Sequence, residues 1–200
     1  ARPVLTLSSH GAVAYWLGEA YARTGDSAQA RTTWRRGYRR LDAAGHFDLR
    51  LADAYLRSLD RTRLRNQRLR AVDAYTRLLR HVGPDTSAAL QTIFRRRVAQ
   101  IAPLLSDDVF AQVVVEERSA KPAQWTFRRG AGSALQTWWR GLDPFPDTGE
   151  NERLEEHLTR LVHARRSFSC EEGAGALDAR GTVYLRFGAP YKRRDLKYKG

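Results

Sequence analysis

The sequence predicts a mainly α fold, in which a solenoid of helical hairpins precedes a small mixed α/β segment with one clear strand. Apolar residues recur at helical spacing through the first half of the chain. Glycine and proline end these runs, for example at Gly25 and Pro103. We therefore divide the chain into helical repeats over residues 1–105, a linker over 106–131 and an α/β segment over 132–200.

The first predicted hairpin covers residues 14–42. One helix runs from Ala14 and is ended by Gly25, and the next runs from Ser27 to about Asp42. The second helix carries apolar side chains at intervals of four residues, which places them on one face. These are Ala30, Trp34 and Tyr38.

Two further helical units follow. A second, degenerate hairpin begins near Leu51 and ends before Pro84, and it is interrupted by an arginine-rich insertion over residues 60–70. A third helical unit spans residues 87–102 and is closed by Pro103. Stacked units of this kind bury their apolar faces against their neighbours, so several are needed for stability.

This part of the chain resembles the tetratricopeptide repeat family, which is built from helical hairpins of 34 residues. The first hairpin carries the resemblance at Leu17, Gly18, Tyr21, Gly25, Ala30, Trp34, Gly37 and Tyr38. The second carries it at Leu51, Ala52, Tyr55, Ala71 and Tyr75. The resemblance implies a solenoid with a concave surface that binds a peptide or a helix of another protein.

The helical pattern fades in the middle of the chain. Residues 109–115 are β-prone, and the pattern fits either a strand or a buried helix end. Residues 116–131 have the composition of a linker, with Trp125 and Phe127 as two aromatic anchors.

The second half combines helices with one predicted strand. We predict a short helix over residues 132–140, and a longer one that Thr148 caps and that ends near Phe168. Residues 181–188 alternate between apolar and polar side chains and are followed by a proline. Such alternation is typical of a strand.

Residues 132–194 resemble the bacterial GWxTD domain. The matching positions are Trp139, Asp143, Pro144, Pro146, Thr148, Asn151, Glu152, Ala164, Phe168, Arg180, Gly181, Val183, Tyr184, Gly188 and Pro190. The naming motif is degenerate, because residues 175–179 keep only its glycine. The family occurs in exported bacterial proteins, some with helical repeats upstream, so the resemblance implies a place in the cell envelope, with the cytoplasm as the alternative.

The chain carries a formal net charge of +13, almost all of it from arginine. A field of this sign favours acidic protein surfaces, anionic lipid headgroups or nucleic acid as partners. Two basic segments are candidate contact sites, together with Trp16, whose position the repeat does not use for packing. The candidate residues are Trp16, Arg61, Arg63, Arg65, Arg68, Arg70, Lys192, Arg193, Arg194 and Lys197.

The sequence gives little support to catalysis. No pattern of metal ligands, phosphate-binding loop or nucleophile elbow is present, so we predict no metal and no cofactor. The carboxylates Asp143, Glu150, Glu152, Glu155 and Glu156 are explained by helix capping and by pairing with arginines, such as Arg160 with Glu156. No run of about 18 apolar residues marks a membrane span.

We therefore expect a non-catalytic interaction or scaffold module, an accessory structural subunit of a larger bacterial membrane-associated assembly. The alternative is a nucleic-acid-binding module that uses the basic segments at residues 61–70 and 191–199. The sequence contains no methionine. We expect that it begins after a processed segment or is a fragment.

Overall fold

The computed structural model describes residues 7–148, 151–169 and 177–190, and this part of the chain is mainly helical. Ten α-helices occur within the described ranges. They are α1 (Leu7–Arg23), α2 (Ser27–Ala43), α3 (Leu49–Ser58), α4 (Arg61–Asn66), α5 (Arg68–Arg80), α6 (Ala88–Ile101), α7 (Asp107–Val113), α8 (Ala131–Gly141), α9 (Glu152–Ser167) and α10 (Ala179–Phe187). Single 3-10 turns lie at Ala102–Leu104, Pro122–Gln124 and Pro146–Thr148. None of the described helices is long and apolar enough to cross a membrane.

Helices α1 and α2 form an antiparallel hairpin with very close packing. Gly18 lies against Trp34, and a Cβ atom on Gly18 would be 2.1 Å from the indole Nε1. That indole donates a hydrogen bond of 3.2 Å to the carbonyl of Tyr15. Farther along the hairpin Gly37 faces Ala14, so residues later in α2 contact residues earlier in α1, as in an antiparallel pair. The small residues therefore let the two backbones approach, as a hairpin of this type requires.

Helices α3, α4 and α5 come next in the chain, and α3 packs against α2. The rings of Tyr38 and Tyr55 stack with their centroids 4.4 Å apart and join α2 to α3. The insertion at residues 60–70 is helical: it forms α4 and the first turn of α5. The side chain of Asp60 begins α4 by accepting a hydrogen bond of 2.9 Å from the amide of Arg63.

The middle of the chain folds back on itself. Residues 109–115 form the end of a helix, because α7 extends to Val113 and only Val114 makes a bridge, with Phe127. The helix buries Phe110 and Val113, whereas its other side is exposed. The predicted linker is held at two points, since Trp125 and Phe127 are both buried. Their contacts, Trp125 with Phe110 and Phe127 with Phe94, attach this segment to α7 and α6.

Two local predictions in the second half are wrong. Helix α9 is capped by Asn151 instead of Thr148: the Asn151 side chain accepts from the amide of Leu154 at 2.7 Å and donates to the carbonyl of Trp139 at 2.8 Å. The second bond ties the helix start to α8, a tertiary contact that sequence patterns do not reveal. Thr148 ends a 3-10 turn instead.

The strand predicted over residues 181–188 is also wrong, because Ala179–Phe187 forms helix α10. Gly181 and Leu185 are buried whereas Val183 and Phe187 are exposed, which fits the spacing of four in a helix. In a strand all four residues would lie on the same face. Asp178 caps the helix by accepting from the amide of Gly181 at 2.9 Å. A helix satisfies its own backbone, whereas a strand needs a partner, and within the described ranges only two isolated bridges occur.

Candidate interaction surfaces

The outer face of α1 exposes three large apolar side chains. Val13, Trp16 and Leu17 have exposed fractions of 54%, 51% and 47%. Their spacing of three and four residues places them on one face of the helix. Trp16 is therefore on the surface, and Leu17, which we matched to a repeat position, lies beside it. Contiguous apolar surface of this kind marks an interaction site more often than single exposed residues do. We call this set the α1 apolar face.

A cation lies at the edge of the α1 apolar face. The guanidinium of Arg50 is 5.8 Å from the centre of the Trp16 ring and 5.5 Å from that of Tyr15. Its ion pair with Asp48 is long, at 3.8 Å. Since Arg50 is only weakly neutralised, the apolar face has a positive edge.

Beneath this surface, a buried ion network joins α1, α3 and α6. The carboxylate of Asp53 binds Arg97 at 2.7 Å, Arg57 at 3.1 Å and also Arg96, and Arg57 continues to Glu19 at 3.1 Å. Burial alone would raise the pKa of Asp53, but the positive charges of the three arginines outweigh this effect and hold its pKa at about 2. The network fixes three helices in one arrangement, although it does not create a reactive group.

A second surface is rich in arginine and lies on α2. Arg31, Arg35 and Arg39 are spaced by four residues, and Arg63 of α4 lies near them. Burial lowers the pKa of Arg35, and the positive charge of Arg63 lowers it further. One nitrogen of Arg35 donates to the carbonyl of Ser58 at 3.1 Å. Our sequence analysis did not identify the α2 arginines as candidate contact residues, although their spacing of four residues is evident from the sequence.

The predicted basic segment at residues 60–70 does not form one face. Arg63 pairs with Asp60, Arg70 pairs with Asp42 of α2 at 3.0 Å, and Arg68 lies 3.8 Å from Glu155 of α9. Arg65 is exposed, and Arg61 begins α4. The predicted contacts Lys192, Arg193, Arg194 and Lys197 lie outside the described residues.

Several of the carboxylates between residues 143 and 156 bind neighbouring side chains of the protein. Glu156 pairs with Arg160, as predicted, and with Arg153. Glu152 accepts a hydrogen bond of 3.1 Å from the hydroxyl of Thr148. Glu150 lies outside the described residues. Ion pairing therefore occupies Glu156, and Glu152 is bound to Thr148 through one of its carboxylate oxygens.

His157 is the most unusual polar residue of the described chain. Its side chain is only 3% exposed, and neither ring nitrogen has a hydrogen-bond partner. The ring lies 5.3 Å from Trp139 and 5.9 Å from Tyr75, measured between centroids. Burial lowers the pKa of His157 to about 3, with nearby arginines adding to the effect, so the imidazole is neutral at physiological pH.

Comparisons of the chain with protein-family models, with curated proteins and with solved structures find no match. Any proposal on function therefore rests on the surfaces described above.

Proposed function

We propose that this chain is a non-catalytic protein-interaction module that binds a helix of a partner protein on the α1 apolar face. The observation that carries the proposal is the exposure of Val13, Trp16 and Leu17 side by side on one helix. An amphipathic helix presents the matching surface, because its own apolar residues recur at the same spacing. Tryptophan is also the residue type that most often dominates binding energy at such sites.

The charge at the edge of this face favours an acidic partner. Arg50 lies beside Trp16 and has only a long ion pair to Asp48. A partner helix with glutamate or aspartate next to its apolar stripe would pair with Arg50 and with the exposed Arg23 at the end of α1. The net charge of +13 adds a long-range attraction of the same sign.

The scaffold that we propose is a solenoid of the tetratricopeptide type. The close packing of Gly18 on Trp34 supports this, because that family places a small residue against a large one at these positions. We further propose an accessory structural role in a bacterial cell-envelope assembly, where the basic surface faces acidic protein or anionic lipid headgroups. This setting rests on the resemblance to the GWxTD domain.

The test is a quantitative pull-down from the membrane fraction of cells that produce the protein, with wild type and Trp16→Ala compared side by side. We expect one protein that co-purifies in stoichiometric amount with wild type and is reduced at least ~10-fold with Trp16→Ala, the effect of removing a binding hot spot. Phe145→Ala is the matched control, since Phe145 is also an exposed aromatic side chain. The proposal fails when Trp16→Ala and Phe145→Ala recover the same proteins in the same amounts.

The second candidate function is nucleic-acid binding, and the arginines gathered on α2 and α4 favour it. Arg31 and Arg39 are exposed and have no ion pair within the described residues. Phosphate contacts by these side chains would make the affinity fall steeply with salt. We would measure duplex and single-stranded DNA and RNA binding against salt concentration. Replacing both arginines by glutamine should reduce the salt slope by about 2, whereas an unchanged slope excludes this surface.

A further inference from the structure

A cleft of about 210 Å³ opens between α8, α9 and α10, away from the α1 apolar face. Its walls are largely apolar. Leu104, Trp138, Trp139, Leu142, Leu185 and Phe187 provide them. The polar side chains that line it are Arg153, His157, Arg160 and Arg186, and no carboxylate of the described residues lines it. An apolar cleft with a few convergent polar groups is the usual form of a small-molecule site.

Two buried polar side chains of the cleft have unused hydrogen-bonding capacity. Within the described residues, neither ring nitrogen of His157 has a hydrogen-bond partner, and the indole Nε1 of Trp139 has none. Both side chains are more than nine-tenths buried, at 3% and 4% exposed. These nitrogen atoms have almost no exposed surface, so they lie beneath the wall of the cleft, and the arginines are the polar groups that a ligand in the cleft can reach.

The arginines of the cleft have different roles. Arg160 donates to the carbonyls of Leu185 at 3.1 Å and Arg186 at 3.0 Å, and therefore holds the end of α10 in place. Arg153 pairs with Glu156, which it shares with Arg160. Among the described residues, three arginines and this one glutamate border the cleft, so this part of its surface is positively charged.

We propose that this cleft binds a small ligand with an oxyanion head, a carboxylate or a phosphate, on an aromatic or apolar body. Arg153 supplies charge-assisted hydrogen bonds to the head, and Arg186, which also lines the cleft, adds positive charge beside it. Trp138, Leu185 and Phe187 enclose the body. The cleft is smaller than the sites of drug-sized ligands, which have about 300–1,000 Å³, so one ring with a short acid chain matches its size.

The test uses 3-phenylpropionate and phenyl phosphate as probes, with 3-phenylpropanamide as the uncharged control. Binding is measured by titration calorimetry and by ligand-observed NMR. We expect at least one acid to bind at least ~10-fold more tightly than the amide, because charge-assisted hydrogen bonds distinguish them. The relative affinity of the two acids identifies which head group the cleft prefers.

Three variants locate the binding. Arg153→Gln should weaken the acid by about 5–10-fold, which is the loss of one partly exposed charge-assisted bond. Arg166→Gln, an exposed arginine on the same helix that does not line the cleft, should leave the affinity unchanged. Phe187→Ala removes an exposed wall residue and should weaken the acid as well. Thermal melting of each variant establishes that it is folded.

The proposal is overturned by any of three results: neither acid binds at concentrations up to ~10 mM, the amide binds as well as the acid, or Arg166→Gln causes the same loss as Arg153→Gln. Trp16→Ala should bind the acid like wild type, so that the failure of this proposal and the failure of the partner-helix proposal are separate results.

Discussion

Removing the negative charge of Asp53 should destabilise the protein, because this charge neutralises the arginines of the buried ion network. Its carboxylate is 1% exposed and binds three arginines, of which Arg97 is fully buried. The pKa of about 2, against an ordinary value of 3.8, corresponds to roughly 2–3 kcal/mol of stability near neutral pH. Removing one partner of a buried ion pair costs about 3–5 kcal/mol, because the other charge stays buried and unpaired.

We therefore predict that Asp53→Asn lowers the free energy of unfolding by about 2–4 kcal/mol near neutral pH, a value taken between these two estimates. The measurement is urea unfolding followed by circular dichroism. Asp73→Asn is the matched control, because Asp73 also pairs with an arginine, Arg77 at 3.4 Å, but is 51% exposed. Its loss should cost less than ~1 kcal/mol.

The pH dependence distinguishes charge from packing. The pKa of Asp53 is lower in the folded protein than in the unfolded chain, so its contribution is complete above about pH 4 and is lost as the pH falls toward 2. The difference between wild type and Asp53→Asn should therefore shrink over this range. A loss below ~1 kcal/mol at neutral pH, or a difference that does not change with pH, would refute the reasoning.

Three further changes test other parts of the fold. Gly18→Ala should lower the free energy of unfolding by about 1–3 kcal/mol, because the added Cβ would lie 2.1 Å from the Trp34 indole; an unchanged thermal midpoint would contradict the close packing. His157→Phe should be neutral or stabilising at neutral pH, since it removes two unpaired buried nitrogens. The pKa of His157 is depressed to about 3, so wild type loses stability as the pH falls from 6.5 toward 3, and urea unfolding should show less of this loss in His157→Phe. Gly188→Ala should cost about 1 kcal/mol by chemical unfolding, because its φ of 79° strains any side chain; a gain in stability would contradict this conformation at the end of α10.

Local sequence patterns predicted the class of fold and the first hairpin. Gly25 ends α1 and Asp26 caps α2, and both signals are read from neighbouring residues. The strand prediction failed because a short segment with alternate apolar residues also fits helical spacing. Gly181 packs closely against Phe168, and a contact between residues this far apart in the sequence is invisible to a local pattern.

The candidate surfaces were predictable to different degrees. Trp16 was identified because it falls outside the packing positions of the predicted repeat, and its exposure needs no distant contact. Asp53 and Arg97 are separated by 44 residues in sequence and meet only in the fold. His157 lies within an apolar helical stripe, where no sequence signal separates a packed histidine from one with unpaired nitrogens.

Site-specific photo-crosslinking tests the central claim most directly. Benzoylphenylalanine placed at position 16, in cells that produce the protein, should crosslink to one partner, and the crosslinked segment should be an amphipathic helix with acidic residues beside its apolar stripe. The same probe at position 145 should not capture that partner. Equal crosslinking at both positions, or no crosslink at position 16, would contradict a docking role for the α1 apolar face.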